Sequence, residues 1–274
     1  MTSPELSRLC IHTITNKPWP IETAVEEYAR AGIGGITVWR DALDGREPSV
    51  VRKRILDAGL AVVSLCRGGF FASANPAVRA EAVRENLSVI RQAHELGAPH
   101  VVLVCGADPK QPLEDSRVQI LEGISAIAGE ASRLGVRLAI EPLHPMYADS
   151  RSAISTLEQA NDICDLLDLP EVGVAIDVYH LFWDPHLPEQ IERCGAAQRI
   201  LAFHVSDWLT PTRDLLNDRG IMGDGCIPIR TIREQVVRAG FDGQIEVEIF
   251  SNSLWASDQR RYLDRIIDAY RRHV

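Results

Sequence analysis

Apolar residues in this chain fall into short, nearly unbroken runs separated by longer amphipathic stretches, and the alternation repeats from end to end. Runs of this kind predict strands covered on both faces, as in parallel sheets wrapped by helices. The strands are expected at Leu9–Ile14, Gly35–Trp39, Leu60–Cys66, His100–Cys105, Arg137–Pro142, Val172–Tyr179, Ile200–Val205 and Gln244–Phe250. The amphipathic stretches predict helices at Glu22–Ala31, Pro48–Ala58, Pro76–Leu96, Leu113–Leu134, Ile154–Leu167, Glu189–Ala197, Ile229–Ala239 and Ser257–Arg272. Most of these end at a glycine, such as Gly32, Gly59, Gly97, Gly135 or Gly240, the residue that most easily closes a helix. Alternating β and α segments call for a parallel sheet, and eight units suggest a closed (β/α)8 barrel. An open doubly wound sheet would need a glycine-rich turn opening a helix, whereas Gly32-Ile-Gly34-Gly35 precedes a strand.

No Pro- or Ser-rich linker divides the 274 residues, so one barrel domain spanning residues 1–274 is expected. A net charge of −9 argues against a nucleic-acid-binding surface and is compatible with a neutral small substrate. The six cysteines, Cys10, Cys66, Cys105, Cys164, Cys194 and Cys226, form no close pairs and read as reduced, mostly buried residues. Met1–Leu9 lacks the character of a signal peptide, and no apolar run is long enough to span a membrane. A soluble cytoplasmic protein is the expectation.

Four strands carry a polar interruption near the carboxyl end: Glu141, Asp177, His204 and Glu248 on strands five to eight. Such groups are costly in an apolar setting unless a cation or hydrogen bonds hold them. Spaced about one strand–helix unit apart, they would stand side by side around half of a barrel rim, where catalytic groups gather. Three carboxylates and an imidazole meeting there imply a divalent cation. The donor set suits Mn²⁺ first, with Mg²⁺, Co²⁺ and Zn²⁺ also compatible. Glu246 shares a strand face with Glu248 and is expected one layer deeper, paired with an arginine. His12, Arg67 and His144 also sit at predicted strand ends, as substrate-hydroxyl contacts or supporting partners. Trp183, Trp208 and Phe70-Phe71 are candidates for apolar walls or for ordinary loop packing, and Asp207 for orienting a neighbour or for a surface role.

The motifs Ala139-Ile-Glu141-Pro142, Gly173-Val-Ala-Ile-Asp177-Val-Tyr-His180, His204-Val-Ser-Asp207 and Glu246-Val-Glu248-Ile-Phe250 occur in this order. Together with the turn Asp218-Arg-Gly-Ile-Met-Gly223-Asp-Gly225, they resemble the xylose isomerase-like superfamily, its inosose isomerase and ketose 3-epimerase groups above all. The resemblance implies one metal held by Glu141, Asp177, His204 and Glu248, with Glu141 and Glu248 doubling as the acid/base pair. It further implies substrate contacts from His180 and from Arg213. Oligomers are common in the family, with contacts looked for on Pro76–Leu96 and Leu209–Gly225.

The expected activity is a sugar isomerase or epimerase that moves a proton α to the carbonyl of a small keto sugar or keto-cyclitol. A metal-bound enediolate makes that proton removable by a carboxylate. The same intermediate could lose a hydroxyl, so a dehydratase or lyase is the alternative. An abasic-site endonuclease on a related barrel would need more metal-binding histidines and a basic groove. A non-catalytic sugar-binding subunit would have no use for an acid/base pair. No Gly-x-Ser-x-Gly elbow or cysteine–base pair supports nucleophilic catalysis.

Overall fold

The computed structural model describes residues 5–274. Met1–Pro4, part of the segment read as free of a leader, lie outside the described residues. Eight strands pair in parallel and close into a barrel. They are β1 (Leu9–His12), β2 (Gly35–Trp39), β3 (Ala61–Gly69), β4 (His100–Val104), β5 (Arg137–Ile140), β6 (Val172–Asp177), β7 (Ile200–Val205) and β8 (Ile245–Val247). The intervening and closing helices are α1 (Ile21–Arg30), α2 (Pro48–Asp57), α3 (Pro76–Leu96), α4 (Leu113–Leu134), α5 (Leu157–Leu167), α6 (Leu187–Ala196), α7 (Ile229–Arg238) and α8 (Gln259–His273). The expected (β/α)8 architecture is the one observed.

Strand alternation explains the apolar runs. Outward residues such as Leu138, Ile140, Val174, Ile176, Phe203 and Val247 are fully buried beneath the helices. Each such side chain contributes about 1.5–3 kcal/mol of burial. The inward positions instead hold a small apolar cluster of Cys66, Val102, Ala139, Ala175 and Ala202. Small side chains at mid-barrel leave room for larger polar ones at both ends. Five cysteines are buried, Cys226 is exposed, and all six are free. No helix among the described residues is long and apolar enough to cross a membrane.

Three local departures from the sequence reading have physical causes. Strand β3 runs on to Gly69 through a register shift between Cys66 and Gly68, which places Arg67 on a bulge. Helix α5 starts at Leu157 because Thr156 caps it, its hydroxyl accepting from the Gln159 amide at 3.2 Å. Beyond β7, the chain forms a two-stranded antiparallel ribbon, Asp207–Trp208 with Arg219–Gly220, inside what reads as a long loop.

Candidate metal centre

Glu141, Asp177, His204 and Glu248 converge: one donor atom from each lies within 4.8 Å of the others, and all four residues are buried. Glu141 and Glu248 follow β5 and β8, while Asp177 is the last residue of β6 and His204 the penultimate residue of β7. His204 Nδ1 stands 3.0 Å from Glu141 Oε1. Asp177 also serves as a helix cap. Its Oδ1 accepts from the Tyr179 amide at 2.8 Å, starting the short turn Val178–Leu181, and leaves Oδ2 facing the centre.

Sequence reading missed the cation at the centre, Arg219. Its Nη1 donates to Glu248 Oε2 at 2.8 Å and to Asp177 Oδ2 at 3.1 Å, and its Nη2 lies 3.0 Å from His180 Nε2. The guanidinium is buried, with its carbon 4.4 Å from the Tyr179 ring centroid. Burial opposes its charge, but Asp177 and Glu248 hold it firmly protonated. Burial pushes the Asp177 carboxyl up against the pull of Arg219. At Glu248 burial is outweighed by Arg219 and His12, and the carboxylate stays below its usual range.

Arg219 is delivered by a clasp on the ribbon. Asp207 accepts from the amides of Gly223, Gly225 and Ile227 at 2.8, 2.9 and 3.0 Å, closing the turn that follows Arg219. This is the orienting role anticipated for Asp207, with backbone as its target. Gly225 has no room for a side chain, since a Cβ there would lie 2.2 Å from the Trp208 carbonyl oxygen. Gly225→Ala is therefore expected to shift the turn and lower stability by about 1–3 kcal/mol in urea unfolding. Unchanged stability would show that the clasp yields freely.

Below the quartet lies a second buried carboxylate. Glu246 Oε2 accepts from Thr37 Oγ1 at 2.5 Å and Ser64 Oγ at 3.3 Å and meets His12 Nε2 at 3.1 Å. Its partners are thus a histidine and two hydroxyls, and the expected arginine is not among them, because the inward positions of β2 and β3 are Thr37 and Ser64. Burial raises the Glu246 carboxyl, yet His204 and His12 bring it to about 2. A carboxylate depressed from 4.5 adds stability that is complete above pH 4.5 and is lost as pH falls toward 2. Glu246→Gln should remove about 3 kcal/mol from the acid limb of the stability–pH curve, measured by urea unfolding. An acid limb identical to that of the parent would refute this.

The remaining candidates separate cleanly. His12 is fully buried, its Nδ1 3.1 Å from Glu248 Oε1, so it braces two glutamates and has no face open to a substrate. Burial disfavours its charge, but Cys66, Glu246 and Glu248 raise it well above the usual imidazole range. His180 is buried beside Arg219, and its Nδ1 accepts from the His144 amide at 3.3 Å. Burial and Arg219 keep it neutral. His144 is half-buried, its ring 4.9 Å from Trp208 and 5.8 Å from Trp183, an aromatic wall beside the centre. Arg67 lies over the Phe70 ring at 4.3 Å, whereas Phe71 is buried against Gly123 in the outer core and lines no wall. Arg213 is not brought to the quartet. Its side chain is 63% exposed and is held by Asp218.

The donors fit a divalent ion. They offer three carboxylates and one imidazole in a buried ring, and one guanidinium, Arg219, contacts two of the carboxylates. His204 Nε2 is buried without a hydrogen-bond partner, 3.8 Å from Glu246 Oε1. That is the arrangement of a metal-ligating histidine whose other nitrogen faces a carboxylate. Burial lowers His204, but Glu246 and Glu141 lift it to about 9, so the carboxylates around it favour a positive charge, which a bound cation would supply in place of the proton.

Comparison with known proteins agrees with the barrel fold. The crystal structure of protein SMc04130 from Sinorhizobium meliloti 1021 is 41% identical, covers 97% of this chain and 98% of its own, and superposes with a TM-score of 0.94. A ketose 3-epimerase from Arthrobacter globiformis is 26% identical over 179 residues, 62% of this chain and 55% of the epimerase, so only about half of that relative is matched. The IolI protein, solved with a bound zinc atom, shares the fold at 18% identity and a TM-score of 0.84 over 96% of both chains. Residues 25–267 match the family model described as xylose isomerase-like TIM barrel, and the chain belongs to that family.

Proposed function

We propose that this protein is a divalent-metal-dependent isomerase or epimerase, with Mn²⁺ as the ion, acting on a small keto sugar or keto-cyclitol. The observation that carries this reading is the convergence of Glu141, Asp177, His204 and Glu248 at one buried point on four consecutive strand ends. Those four would hold the ion, which supplies Lewis acidity to substrate oxygens and so makes the neighbouring C–H acidic. The similarity to a ketose 3-epimerase favours the same class of substrate.

The chain's own groups would do the rest. Glu141 and Glu248 stand at the two ends of the arc formed by β5 to β8, so a substrate between them meets one carboxylate on each side. One removes the proton and the other returns it, to the opposite face for epimerisation or to the adjacent carbon for isomerisation. Arg219 and His180, already in contact at 3.0 Å, would orient the substrate oxygens and stabilise charge developing on them. The aromatic rings of Trp183 and Trp208 would cover its apolar face.

The test is metal content per chain, followed by solvent-deuterium exchange of the Mn²⁺-loaded protein over a panel of ketoses and inososes. About one ion per chain, and deuterium incorporation without mass loss beyond the label, is the expected outcome. Loss of water from a substrate would instead assign a dehydratase. No exchange with any member of the panel would overturn the proposal.

A further inference from the structure

The opposite end of the barrel holds a second polar pocket that the proposed reaction leaves unused. Strand alternation turns Arg137 and Gln244 inward beneath Ala139 and Glu246, and His100 inward beneath Val102. These three residues line a cavity of about 560 Å³ at the amino-terminal mouth of the barrel. That volume lies within the range of small-molecule sites. Its apolar walls include Val62, Ile200, Leu201 and Phe241.

Several polar atoms in this pocket have no partner within the protein. His100 is only 6% exposed, yet its Nε2 lacks a hydrogen-bond partner. Gln244 donates through Nε2 to the Ser7 carbonyl at 3.1 Å, and its buried Oε1 is unpartnered. The Arg137 side chain makes no ion pair or hydrogen bond among the described residues, although the exposed Asp242 lies on the rim of the same cavity. Burial lowers the Arg137 guanidinium, and no carboxylate offsets its desolvation. Burial also holds His100 down at about 4, leaving a neutral imidazole with one N–H to give. Buried polar atoms without partners are rare, and a partly desolvated guanidinium without an anion is costly.

We propose that this mouth binds a compact metabolite carrying a carboxylate or phosphate group. Arg137 and His100 hold the anion, and its body packs against the apolar walls. A guanidinium fork suits either oxyanion. The site stands apart from the metal centre, so it does not depend on which reaction occurs there.

Isothermal titration of the metal-loaded protein with inorganic phosphate, and separately with isobutyrate, tests the assignment and distinguishes the two anion types. One saturable site per chain is expected for at least one probe. Arg137→Gln should weaken it about tenfold or more, Arg137→Lys less, and Glu248→Gln at the other end not at all. His100→Phe supplies an independent loss at the same mouth should Arg137→Gln fold poorly. Absence of binding by both probes overturns the proposal. So does binding that survives Arg137→Gln and His100→Phe, or that is lost with Glu248→Gln.

Discussion

Glu248→Gln is expected to reduce solvent-deuterium exchange of a competent substrate by about 10²–10⁴-fold, the range for removing a positioned acid/base group. It should also lower bound metal below that of the parent protein. The substitution keeps the shape of the side chain and removes the charge shared by Arg219 at 2.8 Å and His12 at 3.1 Å. Arg219 would then lean on Asp177 alone, so the positions of base and cation change together. Measuring metal content and exchange on the same sample separates the two contributions. Variant protein saturated with Mn²⁺ that still exchanges at the parental rate would remove Glu248 from the acid/base pair.

Arg219→Met is the second large effect, and it concerns stability. In the metal-free protein the substitution leaves Asp177 and Glu248 buried without their shared partner. Breaking a buried ion pair from one side costs about 3–5 kcal/mol. A divalent ion supplies the missing positive charge, and at a hundredfold excess over its dissociation constant it restores about 2.7 kcal/mol. Thermal unfolding with and without Mn²⁺ should therefore show a deep loss in the chelated variant and a larger metal-dependent gain than in the parent. Equal metal-induced shifts in both proteins would mean that Arg219 and the ion do not share the same carboxylates.

The barrel was legible because outward positions such as Ile140, Ile176 and Val247 are uniformly apolar while the inward ones are small or polar. That pattern writes the strands as apolar runs, and the polar breaks on the last four, at Glu141, Asp177, His204 and Glu248, meet in space. Arg219 was not legible for the same reason. It sits in a two-residue ribbon with no period of its own, and its direction is fixed by Asp207 reaching across to the turn at Gly223–Gly225. From sequence alone, Arg213 in the same loop was equally eligible, and only the tertiary clasp decides between them. The partners of Glu246 were hidden likewise, because Thr37 and Ser64 become its neighbours only when the barrel closes.

Asp177 divides its two oxygens between different tasks, one capping the turn Val178–Leu181 and one facing Arg219. That turn carries His180, so the proposed substrate-orienting imidazole and one of the proposed ion's ligands would hang from a single carboxylate. The backbone amide of Tyr179 fixes the orientation of Asp177 through a hydrogen bond internal to the chain. The direction of this oxygen is therefore set by the folding of the chain, and the proposed ion would find this ligand already turned toward it.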